Sequence, residues 1–387
     1  DNDTFPLWYN QETEGVRTDA RVCNLSYLQT DWYIDQMRRP AYDSPSLPIS
    51  WTRLQYVTGT REGIPVQPDA LQQVIDYYKD SLEDLKQMLG DNPYELKNII
   101  RHWVLNDNPD LQIFPTDSIV VTVDKEAVKR SGMMIAADSI PDVMHISLKG
   151  KRAIYKSEMM MLEMISQANW ERPLYMSTTV GPDNYGHLGD NFVQEGLACR
   201  ITPFDTKQSG RTIDSERMYN NMMNKFKYGG LKENPDIYLD ETVIRMCYTH
   251  RRLFNQLAQQ LLKEGQKDKA LKVLQRAEEE IPGSIVPHEA FYGHSLELAD
   301  AWLALGHKAE AEKLLNAVGQ NAKEYIEWYL SLNTQRLLQS SRECLMQIYI
   351  LNDIAKTWEP IDKKKAETYR MEVNNYASRC HQRGMSL

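Results

Sequence analysis

The sequence predicts an α/β domain on a largely parallel sheet over residues 1–240, then an all-α helical-repeat domain over 241–387. Three observations carry this reading. Strand-like and helix-like runs alternate through the first part, the rhythm of a parallel α/β sheet. From about Glu241 strand signals vanish and only helical periodicity remains. That later stretch also repeats itself after a shift of 41 residues.

The elements follow in order. Thr4–Glu14 reads as a short helix, with Asp3 or Thr4 as cap and Pro6 in its first turn. Ala20–Leu28 reads as a buried strand, and Asp31–Arg39 as a helix with Trp32, Tyr33, Ile34 and Met37 near one face. Val66–Leu89 contains a helix, because Leu71, Val74, Ile75, Tyr78, Leu82, Leu85 and Leu89 recur with a 3.6-residue period. Tyr94–Val104 predicts a further helix. Ser118–Val123 (SIVVTV) is a β-branched strand and His145–Leu148 a weaker one. Lys156–Asn169 is a Met-rich helix. Arg172–Val180 (RPLYMSTTV) is a strand ending in the turn-rich loop GPDNYGHLGD, and Leu197–Pro203 is another strand. Strand, helix, strand in this order makes the expected sheet Rossmann-like.

In the second part the 41-residue shift pairs Leu257 with Leu298, Gly265 with Gly306, Ala270 with Ala311 and Leu274 with Leu315. Small Ala residues let antiparallel helices approach closely, and Gly closes the first helix. Phe254, Leu257, Ala258, Leu261, Gly265, Ala270, Leu274, Ala277 and Pro282 stand at spacings that resemble the tetratricopeptide pattern. The second unit keeps Leu298, Ala299, Trp302, Gly306, Ala311 and Leu315 but lacks the closing Pro. Helices expected around Ala322–Thr357 and Lys363–Arg383 would cap the stack.

Composition narrows the function. The chain is 42% hydrophobic and 26% charged, close to an ordinary globular protein. No apolar run approaches the roughly 20 residues that span a bilayer. Of the formal charge of −9, residues 1–250 hold 26 basic against 36 acidic side chains, and residues 251–387 hold 19 against 18. No basic stripe marks a nucleic-acid binder, and an anionic membrane surface is disfavoured for the same reason. Cys23, Cys199, Cys247, Cys344 and Cys380 are scattered, and no two are spaced in sequence as a zinc knuckle or redox pair, so they read as buried thiols. The start at Asp1, without a signal-like segment, suggests a piece of something longer.

Catalytic motifs are few: no G-x-S-x-G elbow, H-E-x-x-H or Walker loop occurs, and the eight His are dispersed. Two polar clusters stand out. Asp1, Asn2, Asp3 and Thr4 put two carboxylates at an expected strand-to-helix junction, where they would bind a cation or orient a hydroxyl; helix capping through the dipole is the favoured alternative. Thr178, Thr179, Asp183, Asn184, Tyr185 and His187 follow a strand and suit sugar or peptide hydroxyls; a plain turn before a short helix is the competing reading. The early aromatics, Phe5, Trp8, Tyr9, Tyr27, Trp32, Tyr33, Tyr42, Trp51 and Tyr56, read as core or interface. Asn2-Asp3-Thr4 and Asn24-Leu25-Ser26 match the N-glycosylation acceptor pattern, although Asn24 falls in the expected buried strand. No catalytic residue, metal or cofactor is nominated.

The stretch DNDTFPLWYNQETEGVRTDARVCNLSYLQTDWYIDQMRR, the DKEAV at Asp124–Val128, and the run NWERPLYMSTTVGPDNYGHLGDNFVQEGLACRITP together resemble a bacterial family of large membrane proteins. That family, long described as a domain of unknown function, is similar to protein O-mannosyltransferases. Its members carry a multi-spanning glycosyltransferase-like region followed by a soluble region outside the cytoplasm, and this chain resembles the soluble part. Members often show a Gly before the DNDTFP block and a Y-L-G-L-E-D-like run where this chain has Tyr185-Gly-His-Leu-Gly-Asp190. The resemblance implies a role in glycosyl transfer with the catalytic acid elsewhere, in an early extracytoplasmic loop among the spans.

The expected function is therefore a non-catalytic accessory region of a membrane glycosyltransferase-like protein, on the extracytoplasmic (periplasmic) face of the inner membrane. It would recognise acceptor protein, glycan or a partner subunit, and pair with its own membrane-embedded region. The alternatives are a free-standing enzyme with a polar site at the strand ends, and a structural protein-interaction scaffold.

Overall fold

Methionine-rich Lys156–Ala168 is the segment around which the first half of the protein is organised. The computed structural model describes residues 3–133 and 140–385. Two compact units emerge, one formed by Asp1–Gln194 with Ala198–Asp214 and the other by Glu195–Leu197 with Ser215–Leu387. Among the described residues no helix is long and apolar enough to cross a membrane.

The first unit is mixed α/β, with short strands in small sheets. The strands are β1 (Gly63–Pro65), β2 (Ser118–Thr122), β3 (Val143–Ser147), β4 (Ala153–Tyr155), β5 (Tyr175–Ser177), β6 (Phe192–Gln194) and β7 (Ala198–Ile201). β1 pairs with β4, β2 with β3, and β7 lies between β5 and β6; every pairing is antiparallel. This corrects the expected parallel, Rossmann-like sheet. Among the described residues parallel pairing is confined to isolated bridges such as Glu95 to Val120 and Val66 to Phe114. The physical reason is visible in β2. A strand of a covered parallel sheet is buried on both faces, whereas Ile119 and Val121 are buried while Ser118 and Thr122 are exposed. One-sided burial suits an antiparallel ribbon laid on a core.

That core is a helix. Lys156–Ala168 is buried almost all round, with Met159, Met160, Leu162 and Ile165 packed among Leu28, Tyr33, Trp51, Phe114 and Ile146. A helix enclosed on every side must also pair its charges. Lys156 Nζ meets Glu62 Oε1 at 2.6 Å, Glu158 accepts from Lys151 Nζ at 2.9 Å, and Glu163 accepts from the amide and hydroxyl of Ser50 at 2.8 and 2.6 Å. Asn169 ends the helix in the left-handed region, and Trp170 donates from Nε1 to the Thr122 carbonyl at 2.8 Å.

Thr4–Glu14 is helical over that span. The strand expected over Ala20–Leu28 does not form: Arg21–Asn24 is irregular, Leu25–Ser26 is a turn and Tyr27–Gln29 a 3-10 turn, because this backbone is held locally, with Asn24 N donating to Tyr33 Oη at 2.8 Å and Leu28 N to the Asn24 carbonyl at 3.1 Å. Val66–Leu89 contains two helices, Ala70–Tyr77 and Leu82–Leu89, packed in a small core with Trp103 and Ile113. Tyr33, Trp51 and Tyr56 are fully buried, whereas Phe5, Tyr9, Trp32 and Tyr42 stay about half exposed.

The second unit is helical. Its long helices are Glu241–Lys263, Lys267–Glu280, Ser295–Ala304, Lys308–Ser331, Ser341–Trp358 and Lys363–Gln382. Successive helices pack against each other in pairs: the first with the second, the third with the fourth, and the fifth with the sixth. The 41-residue shift has a structural counterpart. Leu257 and Leu298, Ala270 and Ala311, and Leu274 and Leu315 are all buried, and Gly265 and Gly306 both take left-handed backbone (φ +76° and +83°) at the turn between paired helices. Gly319 serves close approach instead, since a Cβ there would meet Tyr369 Oη at 2.9 Å.

Arg251 fixes the connection after the second helix. Its side chain is wholly buried, and its guanidinium donates to the carbonyls of Ile281 (3.0 Å), Val286 (2.8 Å) and Pro287 (3.0 Å). Arg251→Met removes three charge-assisted bonds and orphans three carbonyls. It is expected to destabilise the helical unit by about 3 kcal/mol, read as a lower urea midpoint with native helix content retained. A loss below about 1 kcal/mol would mean that the loop satisfies those carbonyls without Arg251.

Candidate functional site

The two polar clusters singled out in the sequence are partly brought together. Asp3 occupies the cap position of the first helix without capping it. Its carboxylate instead accepts from Ser177 Oγ at 3.0 Å and from Thr179 Oγ1, at the end of β5. Thr4 is buried and accepts from Asn24 Nδ2 at 3.0 Å. Asn24 is thereby enclosed, a poor position for a glycosylation acceptor. Asp1 and Asn2 lie outside the described residues. The Asp3–Ser177–Thr179 knot ties the start of the chain to the middle of the domain. Thr178 is half-buried beside it.

The remaining candidates belong to a different feature. A cleft of about 1240 Å³ is lined by Asp183, Tyr185 and His187, but not by Asp3, Thr178 or Thr179. Asn184 is exposed on the same loop, which makes a short 3-10 turn over Pro182–Asn184. The opposite wall comes from the outward face of the β2–β3 ribbon. In β3 Met144 and Ile146 point into the core, leaving His145 and Ser147 outward, with Ser118 paired across from Ser147. The central helix contributes Glu158, tied to Lys151. The far end is closed by Asp190, Asn191, Asp205 and Lys207.

The loop holding these groups is locally fixed. Tyr185 packs edge-on against Phe192 with ring centroids 4.9 Å apart. Gly186 (φ +56°) is pressed on Met161, where a Cβ would stand 2.7 Å from the Met161 methyl, so a larger residue would have to displace that side chain as well as hold a left-handed backbone. Buried Asn191 donates from Nδ2 to Phe204 O at 3.1 Å, Thr206 Oγ1 donates to Asp190 O at 2.7 Å, and Lys207 pairs with Asp190 at 2.7 Å. Asp205 caps the helix Thr206–Ser209 through its amides.

His187 is the enclosed titratable ring of the cleft. It has left-handed backbone (φ +66°), and its Nε2 is enclosed without a hydrogen-bond partner. Burial first, and the Lys151 charge second, lower the imidazole pKa below its ordinary 6.5, against the opposite pull of Glu158 and of a hydrogen bond to the Ser147 backbone. At neutral pH the ring is therefore a neutral donor–acceptor rather than a cation. Among the described residues no three His, Cys, Asp or Glu side chains converge as a metal site would require.

Most of the lining was not singled out in the sequence. The alternation in Val143–Ser147 would have placed His145 and Ser147 on one polar face, but nothing local links that face to the 181–191 loop.

A model of the family described as TMEM260-associated domain 2 matches residues 1–221. The chain belongs to this family. The match spans every residue lining the cleft, so the cleft lies within the TMEM260-associated domain 2 itself. No curated protein and no solved structure matches the chain.

His187 gives a pH test. Its folded-state pKa is lowered, so between about 6.5 and that lower value the unfolded chain takes up a proton that the folded chain refuses. Stability falls as pH drops through this window and is flat above it. His102 and His250 act in the same direction. The expected result is an NMR midpoint for His187 below 6.5, and a shallower acid-side loss of urea stability in His187→Asn. Asn tolerates the left-handed backbone.

Proposed function

We propose that this chain is a non-catalytic recognition region whose cleft takes a polyhydroxylated ligand, a glycan, on behalf of a membrane glycosyltransferase-like protein. The observation that carries the reading is the cleft itself. It offers the Asp183 carboxylate, the ion pairs Glu158–Lys151 and Asp190–Lys207, whose remaining lone pairs and N–H groups can still bond a ligand, a neutral imidazole and hydroxyl groups around a Tyr185 edge. A sugar hydroxyl both donates and accepts, so mixed polar groups beside an aromatic ring suit it.

The non-catalytic part rests on how the carboxylates are engaged. Glu158 holds Lys151 and the Tyr155 amide, Asp190 holds Lys207, Asp205 caps a helix, and Asp3 is bound by Ser177 and Thr179. Each of these has a structural occupation, as has Asp142 in its ion pair with Lys125, which leaves Asp183 without a second uncommitted carboxylate among the described residues of the cleft to form a general acid and base pair. The membrane setting is supported by the family's association with TMEM260, and by the resemblance to protein O-mannosyltransferase-like proteins. On this reading the cleft works at the extracytoplasmic, periplasmic face, beside the protein's own membrane-embedded region.

The helical unit adds a protein-binding role, with the tetratricopeptide-like repeat as its basis. A groove of about 580 Å³ between the Ser295–Ala304 and Ser341–Trp358 helices, lined by Phe291, Leu296, Leu345, Met346 and Tyr349, favours it. An acceptor protein or partner subunit would use such a surface.

Calorimetry or NMR shift mapping with soluble glycans, sugar-donor analogues and unfolded peptides tests the reading. The expected outcome is saturable glycan binding whose shifts map to residues 181–191, weakened roughly tenfold, about 1.4 kcal/mol, in Asp183→Ala. Turnover of any ligand would overturn the non-catalytic assignment. Absence of glycan binding at millimolar concentration would leave the scaffold role alone.

A further inference from the structure

Two cysteines that lie far apart in sequence meet inside the helical unit. Cys344 stands in the first turn of the Ser341–Trp358 helix and Cys380 in the last turn of the Lys363–Gln382 helix. Both are wholly buried, and their Sγ atoms are 3.9 Å apart. That is van der Waals contact between two sulfurs. Closing it to a bond of about 2.05 Å needs roughly 2 Å of movement, shared between two side chains on adjacent helices.

The surroundings favour a staple at this position. The end of the last helix is already tied down there by Arg383, whose guanidinium donates to the carbonyls of Leu330 (2.6 Å) and Leu332 (2.7 Å). Met385 is buried and its amide donates to the Cys380 carbonyl at 3.1 Å. The terminal turn is therefore held in register with its neighbours, so the two sulfurs meet by construction rather than by fluctuation.

We propose that Cys344 and Cys380 form a redox-controlled pair, joined by a disulfide that locks the C-terminal helix to the preceding one. The reaction is a two-electron thiol–disulfide exchange with a small-molecule disulfide such as oxidised glutathione. The Cys380 thiolate attacks one glutathione sulfur and releases the first glutathione thiolate. The Cys344 thiolate then attacks Cys380 Sγ in the mixed disulfide and releases the second. Both protein thiol protons end on the released glutathione, which is reduced as the protein is oxidised. Burial raises both thiol pKa values, that of Cys344 to about 12, so the folded form reacts slowly and exchange passes through opening of the last helical turns. The inference stands on the helical unit alone and is independent of the ligand bound in the cleft.

The test is refolding of the full chain from urea in a glutathione redox buffer, followed by non-reducing peptide mapping and intact mass. The expected result is one linked peptide pair carrying Cys344 and Cys380, and a mass lower by two hydrogens. Closing a loop of this length is expected to raise the thermal midpoint of the helical unit by roughly 5–15 °C over the reduced protein. Cys344→Ser should abolish both the link and the rise. A natively refolded chain without this link, with glutathione left on either cysteine, or with a linked pair but no rise in midpoint would overturn the proposal.

Discussion

A charged, methionine-rich helix enclosed on all sides is the constraint on which the first unit depends. Lys156–Ala168 occupies the place that a sheet takes in a parallel α/β fold. Burying it costs little for its Met, Leu and Ile side chains and much for Lys156, Glu158 and Glu163, unless each finds a partner. Their partners come from three separate stretches: Glu62 beside β1, Lys151 before β4, and Ser50 in the loop before the helix Arg53–Tyr56. The same contacts that neutralise the helix thus fix where those stretches run.

The cleft is a consequence of that arrangement. Glu158 faces it from the helix while Met161 supports the 181–191 loop through Gly186. His145 and Ser147 line it because Met144 and Ile146 point the other way, into the core. The Asp3 knot stiffens the approach, since it anchors the beginning of the chain to Ser177 and Thr179, just before the loop that carries Asp183 and His187. A ligand taken there, as we propose, would meet groups held by the core and by one another. Their order would reduce the conformational entropy lost on such binding.

The helical unit is stabilised by a different device. Its repeat rests on small residues and glycine turns, and its irregular part rests on Arg251. A buried guanidinium holding three carbonyls of residues 281–287 lets a non-helical connection sit inside the packing without orphaned backbone groups. The repeat predicts the paired helices around it, because Leu257, Ala270 and their counterparts 41 residues on face inward. It does not predict that the fourth helix runs unbroken through Lys308–Ser331.

Local sequence determined the helices and the presence of β-structure. A 3.6-residue period depends only on neighbours along the chain, so Thr4–Glu14, Lys156–Ala168 and the 257–315 repeat were legible. Pairing direction was not. SIVVTV is β-branched whether its partner runs parallel or antiparallel, and only the return of Val143–Ser147 alongside it decided the matter. The candidate site was legible in fragments for the same reason. The loop residues Asp183, Tyr185 and His187 carried a local polar signal. Glu158, His145, Ser147, Asp190 and Lys207 became their neighbours through tertiary structure. Asp3 capped a helix by local logic, yet its carboxylate was claimed by hydroxyls more than 170 residues away. Cys344 and Cys380 were two unremarkable thiols until two helix ends brought them into contact. Hydrophobic period and capping chemistry act over a few residues and are written in the sequence. Which distant polar groups satisfy one another is settled only when the core closes and removes water as the alternative partner.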